Sequence, residues 1–120
     1  MNRRMLGGKI HRATVTASDL HYEGSISIDS DLLERAGILP YEEVSIYNVT
    51  NGERFNTYAI LGEPGSGTIC VNGAAAHKAG AGDIIIIAAF VTVSNEEAKN
   101  WKPKCVYVDG ANRVSGLAAA

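Results

Sequence analysis

The 120-residue sequence predicts a compact, mainly β protein, a small barrel or sandwich with short helices. Three observations carry that expectation. Short strand-like runs alternate with turn signals, long 3.6-residue periodicity is missing, and an Asn-Gly pair joins two β-rich runs. A chain of this length suits one hydrophobic core, so residues 1–120 read as a single domain. Closing the sheet on itself would remove exposed strand edges.

The elements follow in order. Ala13-Thr14-Val15-Thr16 and Ile26-Ser27-Ile28 alternate as strands with one buried face do. Asp29 to Gly37 reads as one helix: Ser30 can cap its start, Leu32, Leu33 and Ala36 form an apolar face, and Gly37 can end it. Val44 to Val49 and Phe55 to Ile60 are strands joined through Asn51-Gly52, a hairpin. A loop over Gly62–Gly67 leads to a strand at Thr68–Val71, and Gly73 to His77 suits a short helical turn. Asp83 to Val93 is a continuous β-rich run, as expected of a strand buried on both faces. Ser94 can cap a turn through Glu96 and Glu97, and Lys104 to Asp109 closes the regular part as a strand. Beyond Gly110 the sequence is small and polar, and Ala118 to Ala120 is expected to fray.

Composition narrows the function classes. Apolar residues make up 46% and charged residues 20%, which argues against disorder. The net charge of −2 offers no field for a phosphate backbone, so nucleic acid is not an expected partner. The longest apolar run, Ile84 to Val91, is far short of the roughly 20 residues of a membrane-spanning helix. Arg3 and Arg4 could open a signal peptide, but Gly7, Gly8, Lys9, His11 and Arg12 follow where its apolar segment should be, so a cytoplasmic location is expected. Cys70 and Cys105 form no Cys-x-x-Cys pair and read as reduced, mostly buried thiols. His11, His21 and His77 lack metal-ligand spacing, so no metal is expected.

Common catalytic motifs are missing. Gly62 to Gly67 lacks the Gly-Lys-Ser/Thr ending of a phosphate loop, and no Gly-x-Ser-x-Gly elbow occurs. What stands out is Lys9-Ile10-His11-Arg12 leading to Leu20-His21-Tyr22-Glu23-Gly24-Ser25-Ile26. Further blocks are Asn48-Val49-Thr50-Asn51-Gly52, Arg54, Thr57-Tyr58-Ala59-Ile60, Asn72-Gly73-Ala74-Ala75-Ala76-His77, Gly82-Asp83, Phe90 and Glu96-Glu97. Together these blocks closely resemble the pyruvoyl-dependent aspartate α-decarboxylases, in register over about the first 109 residues. A Gly-Ser pair alone is ordinarily a plain turn; several blocks at matching spacing are far more specific.

The resemblance implies a zymogen that cuts its own Gly24–Ser25 bond, giving residues 1–24 (the β chain) and 25–120 (the α chain). In such a step the Ser25 hydroxyl attacks the Gly24 carbonyl, and elimination then leaves a dehydroalanine that hydrolyses to a pyruvoyl group. The residue types suit it: glycine leaves the carbonyl unhindered, and serine supplies both nucleophile and leaving oxygen. Thr57 is the implied donor to the oxyanion and Tyr58 the implied proton donor in turnover. The pyruvoyl ketone, a covalent cofactor derived from Ser25, would form a Schiff base with L-aspartate and take up the electrons released with CO2. The product would be β-alanine for pantothenate and coenzyme A.

Two carboxylates on the substrate call for cations. Arg54 offers a bidentate fork, with Lys9 and His11 the other candidates. Thr57, Asn72, Gly73, Ala74 and Ala75 match the family's substrate-contacting loop, and Tyr22 and Glu23 flank the cleavage bond. In strand alternation Arg54 and Tyr58 share one face while Thr57 lies on the other. The strand must therefore twist, or the site must lie between subunits, as the homotetramer implied by the resemblance would allow. The same resemblance implies a six-stranded closed barrel of double-psi type. Whether maturation is spontaneous or needs a helper protein is open at this level. Two other readings stand beside this one: a non-catalytic β module that binds a small acid or a protein, and a pyruvoyl decarboxylase for another amino acid.

Overall fold

The computed structural model describes the backbone of residues 1–118; of the Ala118–Ala120 end expected to fray, Ala118 pairs with Cys105 in a strand, and residues 119–120 lie outside the described residues. The structure is mainly β. Its strands are β1 (Asn2–Thr14), β2 (Ala17–Asp19), β3 (Ser25–Asp29), β4 (Glu43–Asn48), β5 (Arg54–Gly62), β6 (Ile69–Asn72), β7 (Ile84–Ser94), β8 (Lys104–Val108) and β9 (Val114–Ala118). Two short helices, α1 (Ser30–Ala36) and α2 (Asn95–Ala98), and a 3-10 turn (Gly73–His77) complete the described elements.

Among the described residues the hydrogen-bonded order is β2-β6-β3-β5-β4-β7-β1-β8-β9. This is a nine-strand order with two edges, so ladder hydrogen bonds do not close the sheet as the barrel expectation required. The sheet nevertheless curls until its parts meet again just past β1. The Thr16 N–H donates to the Ile69 carbonyl at 2.8 Å, and the Thr16 hydroxyl accepts from the Ile69 N–H at 3.0 Å. Val15 likewise donates to the Asp83 carbonyl at 2.8 Å.

The hairpin read from Asn51-Gly52 forms as β4 and β5, paired antiparallel from Glu43↔Tyr58 to Tyr47↔Arg54. Other expectations need correction. The strand read at Ala13–Thr16 is only the end of a 13-residue β1, whose Gly-, Arg- and Lys-rich start hides the pattern. That start is a strand because β7 pairs with it along nearly its whole length, from Asn2↔Ser94 to Thr14↔Ile84. The regular part does not close with β8, since β9 returns antiparallel against it. Nor is β7 buried on both faces: Ile85 and Ile87 are fully buried, while Ile84 and Ile86 are half-buried. Asp29 rather than Ser30 caps α1, its carboxylate accepting from the Asp31 N–H at 2.9 Å. The Ser94 cap of α2 forms as expected, as a reciprocal capping box with Glu97.

The core lies inside the curl. Ile10, Ile26, Ile28, Ile46, Ile69 and Ile87, from five different strands, are fully buried there. Burying each isoleucine is worth roughly 1.5–3 kcal/mol. Helix α1 lies close against β1, because Gly8 has no side chain and a Cβ there would overlap the Ala36 carbonyl oxygen. This frame fixes β3 between two neighbours, β5 in parallel and β6 antiparallel, with Ser25 opposite Asn72 at its first position.

Candidate active site

The site is built at the mouth of β3. The turn at Asp19 is held by its own carboxylate, which accepts from the His21 N–H at 3.1 Å. The chain then runs exposed through Tyr22, Glu23 and Gly24 before diving into the sheet at Ser25, which is 1% exposed. The Ser25 hydroxyl donates to the Glu23 carbonyl at 3.0 Å and accepts from Asn72 Nδ2 at 3.1 Å. Asn72 is itself buried, and its other donor reaches the Ser27 hydroxyl at 3.1 Å. The Cys70 thiol donates to Asn72 Oδ1 at 3.2 Å. Burial, with Asp19 adding to it, pushes the Cys70 thiol up from its ordinary pKa, so it stays a neutral S–H.

Gly73 explains how the exposed loop lies so close to β6. Its φ is +75°, and a Cβ there would come within 2.8 Å of the Gly24 nitrogen and 2.7 Å of the Gly24 Cα. Any side chain at position 73 would push the Tyr22–Gly24 segment off the sheet. Gly24 itself faces open space.

A cavity of about 520 Å³ opens beside this segment, with Tyr22, Glu23, Ser25, Tyr41, Tyr58 and Leu61 in its wall. Its size falls in the range of small-molecule sites. The parallel register Ile26↔Ala59 puts Ser25 and Tyr58 on the same face of the sheet, and both line the cavity. Thr57 points to the opposite, half-buried side, in keeping with the alternation along β5. Tyr41 leans on Tyr58, ring centroids 6.4 Å apart. It does so from a backbone with φ of +70°, strained for an aromatic residue.

The candidate cations lie elsewhere. Arg54 stacks over the Tyr47 ring at 4.4 Å and lines a separate hollow with Glu53 and Ile86. It stands four positions from Tyr58, about 13 Å along the strand. Lys9 and His11 lie on β1 beside Tyr107 of β8: the Lys9 ammonium is 5.7 Å from that ring's centre and the His11 ring 5.2 Å. Burial first, then Lys9 and Arg12, hold the His11 pKa below its ordinary value, and its Nδ1 is buried without a partner. Of the remaining predicted contacts, Ala74 is exposed and Ala75 packs against the core. One chain thus brings together Gly24, Ser25, Tyr58, Asn72 and Gly73, and leaves Arg54, Lys9 and His11 outside the cavity.

Sequence reasoning missed Ser27, Cys70 and Tyr41. Ser27 and Cys70 carry a faint signal, since alternation in their strands turns them to the side of Ser25 and Asn72. Tyr41 carries none, because its place depends on a turn whose backbone no propensity predicts.

The family model for aspartate decarboxylase matches residues 1–115. An aspartate 1-decarboxylase of Syntrophus aciditrophicus (strain SB) is 64% identical over 114 residues, covering 95% of this chain and 98% of that protein. The chain belongs to the aspartate decarboxylase family and is an enzyme of that family.

Proposed function

We propose that this enzyme decarboxylates L-aspartate to β-alanine and CO2, using a pyruvoyl group that it makes from its own Ser25. The observation that carries the reading is Ser25 itself. It is a buried serine after an unhindered glycine, held by two hydrogen bonds at the wall of a cavity it shares with Tyr58. The relative that is 64% identical is named for the same substrate.

Maturation balances without an outside reagent other than water. Ser25 Oγ bonds to the Gly24 carbonyl carbon, the Gly24–Ser25 C–N bond breaks, and the hydroxyl proton passes to the freed amine. Loss of the Ser25 Cα proton then expels the Gly24 carboxylate, and water replaces the amine nitrogen, which leaves as ammonia. The domain becomes residues 1–24 and 25–120. A pyruvoyl group is no bulkier than the serine it replaces, so the surroundings fit it, and Asn72 Nδ2 is left aimed at the place Oγ vacates. Thr57, on the strand next to β3, is the proposed donor to the oxyanion on Gly24. Cutting the exposed Tyr22–Gly24 segment also frees it to move off Ser25, which it now covers.

In turnover the group supplies a ketone that takes the substrate amine and an electron sink for the pair released with CO2. The chain's own residues do the rest. Tyr58 faces the cavity and delivers the proton to the former α-carbon. Asn72, Gly73, Ala74, Ala75 and Thr57 are the proposed substrate contacts. The cavity wall carries Glu23 but no Lys, Arg or His, so it cannot by itself neutralise an aspartate. Arg54, Lys9 and His11 lie outside it, which supports a homotetramer in which a neighbouring subunit brings cations to each site. The chain's six strands β6-β3-β5-β4-β7-β1, stitched at Thr16–Ile69, support the double-psi barrel as its frame. Among the described residues no helix is long and apolar enough to cross a membrane. A cytoplasmic place in pantothenate and coenzyme A synthesis completes the reading, with a maturation factor as an optional partner.

Intact mass spectrometry before and after warm incubation tests the proposal. Two chains, the second carrying a pyruvoyl group in place of Ser25, are expected, together with CO2 release from aspartate and not from glutamate, histidine or arginine. A single intact chain that releases no CO2 would instead favour a non-catalytic binding module.

A further inference from the structure

We propose that Cys70 is a positioning residue for self-cleavage: its thiol fixes the Asn72 side-chain amide so that Nδ2, and not Oδ1, faces Ser25. The inference rests on the reading that the Gly24–Ser25 bond is cut by the chain's own residues.

The hydrogen-bond pattern leaves little freedom. The Ser25 hydroxyl has one proton, and it goes to the Glu23 carbonyl at 3.0 Å. Toward Asn72 the Ser25 oxygen can therefore only accept, so the amide must present a donor there, as it does at 3.1 Å. The second proton of Nδ2 is taken by Ser27 Oγ at 3.1 Å. Oδ1 then needs a donor on the far side, and Cys70 Sγ stands 3.2 Å from it. The thiol stays protonated because burial raises its pKa, so it donates at neutral pH.

An amide flipped by 180° would turn Oδ1 toward Ser25. Two acceptors would then face each other, and the hydroxyl would be drawn away from Glu23. The donor matters because Ser25 Oγ gains negative charge at two points on the path. The first is the loss of its proton as it attacks the Gly24 carbon, and the second is the breaking of the Cβ–Oγ bond as the Gly24 carboxylate leaves. A fixed N–H supports those two transition states more than the starting hydroxyl. Cys70 touches neither reacting bond and acts only through Asn72.

The test follows cleavage of freshly purified precursor by intact mass during warming, for wild type, Cys70→Val and Cys70→Ser. Valine keeps the bulk and removes the donor; serine restores a donor. Cys70→Val is expected to cleave about ten-fold more slowly, a factor that one hydrogen bond supplies, and Cys70→Ser at close to the wild-type rate. Cys70→Ala replaces Cys70→Val if the valine variant lacks a cooperative melting transition. A valine variant as fast as wild type would overturn the proposal, and so would a serine variant as slow as valine, since bulk rather than donation would then be at work. A wild-type chain that stays intact would instead overturn the cleavage reading, and this inference with it.

Discussion

The two ends of β3, only four residues apart, are built on opposite principles. At its far end Asp29 is a buried carboxylate that accepts from three backbone N–H groups, those of Asp31, Gly65 and Gly67, each at 2.9 Å. Burial alone would raise its pKa. The three hydrogen bonds, aided by the Arg113 guanidinium, outweigh that and hold it below the usual carboxylate range. At the near end Ser25 is as buried, yet neutral, held by one bond given and one accepted, and preceded by an exposed loop. Asp29 locks three segments and has no room to change. The Ser25 hydroxyl, with one bond given and one accepted, is held less firmly, as its proposed role of bond-making oxygen requires. The difference teaches that burial alone does not mark a site; the number and strength of the partners does.

The sharpest way to break this comparison is Ser25→Ala. Cleavage and CO2 release should vanish together, while urea unfolding should stay near that of the uncut chain. An alanine variant that still released CO2 from aspartate would remove Ser25 from the chemistry. Next in size is Tyr58→Phe, which should mature like wild type but turn over about 10²-fold or more slowly, having lost only its proton donor. Wild-type turnover, measured by β-alanine formation, would free Tyr58 of that role.

Asp29→Asn should do the reverse of Ser25→Ala. It should cost about 2–3 kcal/mol in urea unfolding, because an amide nitrogen would face N–H donors, while the folded fraction keeps its cleavage at neutral pH. The sign of the pH effect follows from the lowered pKa. The carboxylate's contribution is present above its unfolded value near 3.9 and is lost as pH falls through the lower folded value. Acid unfolding of wild type should carry that slope, and a variant with the same slope would show that Asp29 does not supply it. The smallest effect expected is at Tyr41→Gly, a gain of about 0.5–1 kcal/mol in thermal unfolding as the +70° backbone relaxes. A loss there would mean that the Tyr41 ring contributes more against Tyr58 than its backbone costs.

Much of this was legible in the residues. The β4–β5 hairpin, the end of α1 at Gly37 and the cap of α2 follow from local chemistry: Asn-Gly at a turn, glycine at a left-handed stop, Ser94 with Glu97. Strand β1 was legible only at its end, because its first residues lack alternation and become a strand through pairing with β7. Of the site, Gly24, Ser25, Tyr58 and Asn72 came from the family resemblance, and a resemblance carries no hydrogen bonds. That Asn72 joins Ser25 to Ser27 and Cys70 is a consequence of β3 and β6 lying antiparallel in one register.

By itself, then, the sequence determined which residues could do chemistry and which short elements would form, since both depend on neighbours within a few positions. The tertiary structure decided which of them meet. Ser25, Tyr58 and Asn72 come from strands 33 and 14 positions apart in the chain; Ser25 and Tyr58 share one cavity wall, and Asn72 reaches Ser25, only because β3 is clasped between β5 and β6. Arg54, though four residues from Tyr58, is carried away from that cavity because an extended strand advances about 3.3 Å per residue.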